Sequence, residues 1–268
     1  MRTPVLRRPV AASRGILISA ASVVGVAVVW FLLTMGEAES RVLSPLTLPS
    51  PGEVVSQIKS LWFDAALTRS IGYSLGRILL GFALAIAVGV PLGIAAGCFR
   101  GIDAALRPHT LFLRNIPIAA LIPLTLVWFG LGEMQKIFFI FIATVGFVIY
   151  DTTRAVLDVP ENFVETAYTL GASDREVVGK VLVPLALPDI VNSLRLLFGL
   201  AFGYIVLAEL IDAKFGLGYI IQNAQRRGPR EHIYLVLLII TLLAFGLDRL
   251  IFWGQKKLFP YKFNEEAE

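Results

Sequence analysis

Asp158 to Pro188 reads DVPENFVETAYTLGASDREVVGKVLVPLALP, a polar stretch set between long apolar runs. Asp158 is expected to cap a helix whose first turn holds Pro160 and Glu161, an acidic turn suited to the positive end of the helix dipole. Gly171 should close that helix, because glycine enters the left-handed region without a Cβ penalty. Ser173 with Glu176 three residues on forms an S-x-x-E capping box, so a second helix starts almost at once. Pro184 is expected to end it. The spacing therefore predicts a hairpin of two short helices joined by Gly171-Ala172-Ser173, a blunt turn with little side-chain bulk that fits a groove on a partner.

Outward from this hairpin the chain is apolar. Hydrophobic residues make up 56% and charged residues 16% of the 268. With a mean hydropathy of +0.75, that balance belongs to a polytopic membrane protein more than to a soluble domain, and the apolar runs that follow lead to the expectation of an all-α fold. Lys and Arg number 24 against 20 Asp and Glu, a formal charge of +4. So modest a surplus fits cytoplasmic loops and gives no sign of nucleic-acid binding. Cys98, the one cysteine, lies in an apolar run, so an intrachain disulfide or a cysteine zinc site is excluded.

Taken in order, Arg2, Arg7, Arg8 and Arg14 precede an uncharged run from Gly15 to Gly36. That run is long enough to span a bilayer, which takes roughly 20 residues, and too long for the core of a cleaved signal. Residues 1–14 are thus expected to be a basic cytoplasmic N-terminus and 15–257 a transmembrane domain, with 258–268 a cytoplasmic tail. Pro45, Pro49 and Pro51 precede Glu53 to Trp62, predicted as an external helix lying at the interface. Ile78 to Phe99 should span, with Gly89, Gly93 and Gly97 on one face for close helix packing. Arg100 and Arg107 mark a short inside loop. The span after it, Asn115 to Gly132, is broken by Pro117 and Pro123. Loosened backbone groups are tolerated in hydrocarbon only against protein or a wet cavity. Arg114, Asn115 and Pro117 are therefore candidates for the lining of a translocation pathway, a packed kink being the alternative.

Ile137 to about Tyr150 returns the chain to the hairpin, and Ile190 to Ile211 and Ile233 to Trp253 supply the last spans. Arg195 and Glu209 sit near the two ends of the first of these. Charges there serve as interfacial anchors, or, for Glu209, as part of a pathway or gate. Asp248 and Arg249 are adjacent, so they face different ways on a helix and each needs its own partner. About six helices result, with both termini and the hairpin in the cytoplasm. Arg226, Arg227 and Arg230 then fall outside, against the positive-inside trend, as an external docking or anion-attracting surface.

Catalytic patterns are missing. His109 and His232 are far apart, and H-E-x-x-H, G-x-S-x-G and the phosphate loop are absent. Gly179-Lys180 is followed by Val181, which rules out a phosphate loop there. If the chain pumps, the motor sits on another polypeptide and the hairpin is its point of attachment. A channel or ion-coupled carrier is the competing reading, but it calls for paired ionisable residues near the bilayer midplane.

The hairpin also resembles the cytoplasmic loop of ATP-binding-cassette (ABC) importer permeases, E-A-A, three residues, Gly, nine residues, I-x-L-P. Glu165-Thr166-Ala167, Gly171, Val181 and Val183-Pro184 stand at those positions, with Thr166, Val181 and Val183 as departures. Leu48-Pro-Ser-Pro-Gly-Glu-Val54, Ser74-Leu-Gly-Arg-Ile78, Pro91-Leu-Gly93, Ile122-Pro-Leu124, Trp128-Phe-Gly-Leu-Gly132 and Gly216-Leu-Gly-Tyr219 resemble permeases of the nitrate, sulfonate, taurine and bicarbonate group. That group often has two successive prolines where this chain has Pro117-Ile118. The resemblance implies a type I importer (MetI-like) permease in the bacterial inner membrane, working with a second permease copy, two ATPase subunits and an external solute-binding protein. Glu165, Thr166, Ala167, Leu170, Gly171, Ala172 and Ser173 would meet the ATPase subunit, which would hold ATP and Mg, with no cofactor on this chain.

Overall fold

The computed structural model describes residues 10–37, 39 and 41–264. Arg2, Arg7 and Arg8 of the expected basic N-terminus and the last residues of the expected tail lie outside them. Helix α1, Ala12–Leu33, is apolar and exposed along most of its length, and its Trp30 indole donates to the Pro49 carbonyl at 2.9 Å. The predicted interface helix is two short ones, α2 (Pro51–Ser56) and α3 (Ile58–Phe63), divided at Gln57. Ser50 and Glu53 form a capping box at the start of α2, and Arg41 holds the Glu53 carboxylate from outside at 2.9 Å. That guanidinium and the Ser50 N–H lower the Glu53 carboxyl to about 2.

Helix α4, Leu67–Cys98, begins eleven residues before the charge-free run, since Arg69 and Arg77 find partners within the protein and do not end it. The expected inside loop at Arg100 is instead a helix, α5 (Arg100–Asn115), in which Asp103 and Arg107 pair one turn apart at 2.5 Å. A short 3₁₀ turn at Ile118–Ala120 leads into α6, Leu121–Phe129, and the two helical arms meet at 89° where Pro117 interrupts the hydrogen-bond ladder. Gly130 and Gly132 turn the chain at positive φ into α7, Glu133–Leu157.

Two corrections concern the hairpin. Asp158 does not cap the following helix; it ends α7, its N–H bonded to the Arg154 carbonyl at 2.9 Å, and α8 (Glu161–Thr169) is preceded by Pro160. Pro184 does not end the second helix either. That helix starts as α9, Asp174–Val177, widens into a π turn at Val178–Leu182 and continues as α10, Val183–Glu209. The wider turn accommodates a proline that has no N–H and crowds the carbonyl four residues back: Val183 N–H skips a partner and bonds Val178. The 36 residues Asp174–Glu209 thus form one apolar rod. Helix α11, Leu217–Arg227, precedes α12, Glu231–Leu258, and α13, Pro260–Asn264, ends the described chain. Gln255, Lys256 and Lys257 belong to the last turn of α12.

Five of these helices are long and apolar enough to cross a membrane, or six with the bent α5–α6 pair as one span. Their core sits between α4, α7 and α10, where Ile78, Phe82, Phe139, Ile140, Val148, Phe198, Phe202 and Ile205 are buried together. Helix α4 lies close on α7 because small residues make room for it: a Cβ on Gly89, Gly93 or Gly97 would come within 2.7, 2.5 and 2.5 Å of Val148, Thr152 and Val156.

Candidate functional site

The hairpin holds its own shape. Gly171 at φ +83° lets its N–H reach the Tyr168 carbonyl at 2.9 Å and the Ala172 N–H reach Ala167 at 3.0 Å, the paired bonds of a Schellman closure. On the other side of the turn the Glu176 carboxylate accepts from the Ser173 N–H and hydroxyl at 3.1 and 2.9 Å, and Lys180 braces it at 2.9 Å. Tyr168 donates to Asp174 across the turn at 3.0 Å, which pushes the phenol pKa up. Open space surrounds the Gly171 α-carbon, so backbone conformation, more than crowding, calls for glycine there.

Among the described residues almost nothing covers this knuckle. No residue of α8 is buried, and Phe163, Tyr168 and Leu170 are exposed, Leu170 to 82%. Glu165, Thr166 and Gly171 are exposed as well, while Ala167 and Ala172 are half-buried against the second arm; Ser173 faces solvent. A self-supporting turn with exposed apolar side chains is suited to insertion into another protein.

The pathway candidates divide. Arg114 lays its guanidinium over the Tyr150 ring, 3.7 Å from its centre, so it is fastened to α7 at the bend. The Asn115 amide donates to the Leu111 carbonyl at 2.7 Å, and Pro117 is exposed at the break. Beside Tyr150 lies a cavity of about 340 Å³ lined by Arg107, Thr110, Thr153 and Arg154. Glu209 differs: it is fully buried, and its carboxylate is engaged by Ser74, Arg77 and the Gly218 N–H. It is neither an interfacial anchor nor a pathway lining within this chain. Arg195 is half-buried and paired with Asp248 at 3.0 Å, while Arg249 lies over Phe245.

Arg226 and Arg227 end α11 in the open, and Arg230 donates to the Leu46 carbonyl at 2.9 Å, fastening that corner to the loop before α2. This corner lies at the opposite end of the α9–α10 rod from the knuckle. Arg77 and Lys136, to which the sequence pattern assigns no role, are each buried to within 2%. Arg77 stood just outside a charge-free run, and Lys136 stood in a turn, so neither carried a sign of its burial.

Among the described residues, an all-helical set of apolar spans with a bent pair and an exposed hairpin defines a multi-pass membrane protein. The family model for the binding-protein-dependent transport system inner membrane component matches residues 89–260, and the chain belongs to that family. A probable ABC transporter permease protein of Brucella melitensis is 34% identical over 229 residues, 85% of this chain and 90% of that protein. The taurine transport system permease protein TauC of Escherichia coli K12 is 32% identical over 254 residues, covering 93% and 91% of the two chains. The bicarbonate transport system permease protein CmpB of Synechococcus elongatus is 30% identical over 248 residues, covering 90% and 89%. A chain of the MetNI methionine ABC transporter in an inward-facing form superposes with a TM-score of 0.61 over 76% of this chain and 98% of that one, at 22% identity, a likeness of fold.

Proposed function

We propose that this chain is the permease subunit of an ATP-driven importer for a small anionic solute of the sulfonate or bicarbonate kind. The observation that carries the coupling step is the uncovered, self-capped knuckle from Glu161 to Glu176 at one end of a continuous helix. In this reading the knuckle enters a groove on an ATPase subunit on the cytoplasmic side, where both termini also lie. Two permease copies form the path and two ATPase subunits drive it, with ATP and Mg held by the ATPases. Closure of the ATPase pair draws the knuckles together and opens the path outward; hydrolysis returns it inward. Arg114, Asn115 and Pro117 line the way through, and the Arg226–Arg227 corner receives a solute-loaded binding protein. The names of the taurine and bicarbonate relatives support the solute class.

Gly171→Asp tests the coupling step. Aspartate and asparagine are among the L residues most at ease at positive φ, so the turn survives and the change is a charge at its tip. Co-purification of the ATPase subunits with Gly171→Asp should fall at least tenfold, and Gly171→Asn should keep more than half. Equal recovery of the ATPase subunits with Gly171→Asp and the parent would overturn the proposal.

A further inference from the structure

Two sequence motifs remain without a role in docking or transit: Ser74-Leu-Gly-Arg77 near the start of α4, and Gly216-Leu-Gly218 at the start of α11. They meet at Glu209, the last residue of α10. The Ser74 hydroxyl lies 2.7 and 2.9 Å from the two carboxylate oxygens, and Arg77 Nη1 donates at 2.7 Å. The Gly218 N–H donates at 2.9 Å, and Ser74 Oγ in turn accepts from the Leu217 N–H at 2.9 Å.

Both glycines are required by this closeness. A Cβ on Gly216, at φ +142°, would lie 2.4 to 2.6 Å from the Glu209 carboxyl atoms, and one on Gly218 would lie 2.6 Å from the Val206 carbonyl oxygen. Arg77 extends the clasp to α7 through both oxygens of Glu133, at 2.6 Å each, and to the Phe215 carbonyl at 2.8 Å. The first turn of α11 is thereby fastened to the last turn of α10 across the seven residues between them.

Helix α10 is the far part of the rod that begins at Asp174 in the knuckle, and at a rise of 1.5 Å per residue its 36 residues run about 54 Å. One continuous helical element therefore has the exposed knuckle at one end and, through Glu209, the Arg226–Arg227 corner at the other. We infer that Glu209 is a positioning residue of the transport cycle: it locks α11 to the rod, so that motion imposed at the knuckle reaches the Arg226–Arg227 surface. By linkage, docking at that surface is felt at the knuckle by the same free energy. This rests on the proposed function, since it takes the knuckle as the ATPase contact.

The test uses the whole complex in proteoliposomes, with Cys98→Ser and a reporter at Gln225→Cys, an exposed position on α11. The rate of labelling by an impermeant maleimide is compared with and without Mg-ATP and vanadate. With Glu209 intact the two rates should differ at least threefold; in Glu209→Gln the ratio should fall close to one, and in Ser74→Ala, which keeps the Arg77 pair, it should fall part of the way. Val156→Ala, a core truncation remote from the clasp, should lower yield and leave the ratio. A parent ratio of one with ATPase subunits bound, a ratio that survives in both Glu209→Gln and Ser74→Ala, or the same fall in Val156→Ala would each overturn the inference. Failure of the ATPase subunits to co-purify with the parent would instead overturn the proposed function.

Discussion

The knuckle and the clasp lie at opposite ends of one helix and are built by opposite means. Around Gly171 every stabilising bond joins residues within six positions of each other, and nearly every side chain is exposed. Around Glu209 the side chains of Ser74 and Arg77 arrive from more than 130 residues away, and Ser74, Arg77 and Glu209 are buried. The first arrangement leaves a surface for a partner and tolerates change in its own stability. The second makes a joint whose charges have no solvent to fall back on, so removing one member leaves another unpaired.

Three measurements bear on that contrast. The largest effect is expected for Arg77→Met, which strips Glu209 and Glu133 of their shared cation. Removing one partner of a buried pair costs about 3 to 5 kcal/mol, so the melting temperature of the purified permease should drop sharply. Next comes Gly171→Val, where a left-handed conformation for a non-glycine residue costs about 1 to 2 kcal/mol. Its cost should stay in the hairpin, with faster protease cleavage near residue 171 and a nearly unchanged global melt. A Gly171→Val melt lowered as much as that of Arg77→Met would remove the distinction between the two regions.

The smallest effect concerns the partly exposed Arg41–Glu53 pair beside α2. The folded carboxyl titrates at about 2, below the ordinary glutamate value near 4.3. Its contribution is therefore complete above about pH 4.3 and is lost as the pH falls toward 2. The melting difference between the parent and Glu53→Gln should be larger at pH 7 than at pH 3. A difference that grew on acidification would contradict the placement of Arg41.

Much of the fold was legible before the structure, because bilayer thickness and backbone satisfaction leave few solutions for a chain with such long apolar runs. The glycine stripe at Gly89, Gly93 and Gly97 also read correctly as a packing face. The ends of spans were less legible. Reading charge as a boundary placed the start of α4 at Ile78, whereas buried partners carry that helix back to Leu67. The local rule for Pro184 is to break a helix, and here a π turn absorbs it.

By itself the sequence determined what is local: the apolar spans, the bend after Asn115, the glycine closure at Gly171 and the Ser173–Glu176 cap, all of which depend on neighbours within a turn or two. Only the tertiary structure decided the meaning of the charges. Glu209 stands near the end of one apolar run and Arg77 just before another, yet they form a closed joint because α4, α10 and the loop before α11 converge there. A one-dimensional pattern records that a charge is present; whether it anchors, lines or locks depends on which distant groups desolvate it and accept its hydrogen bonds.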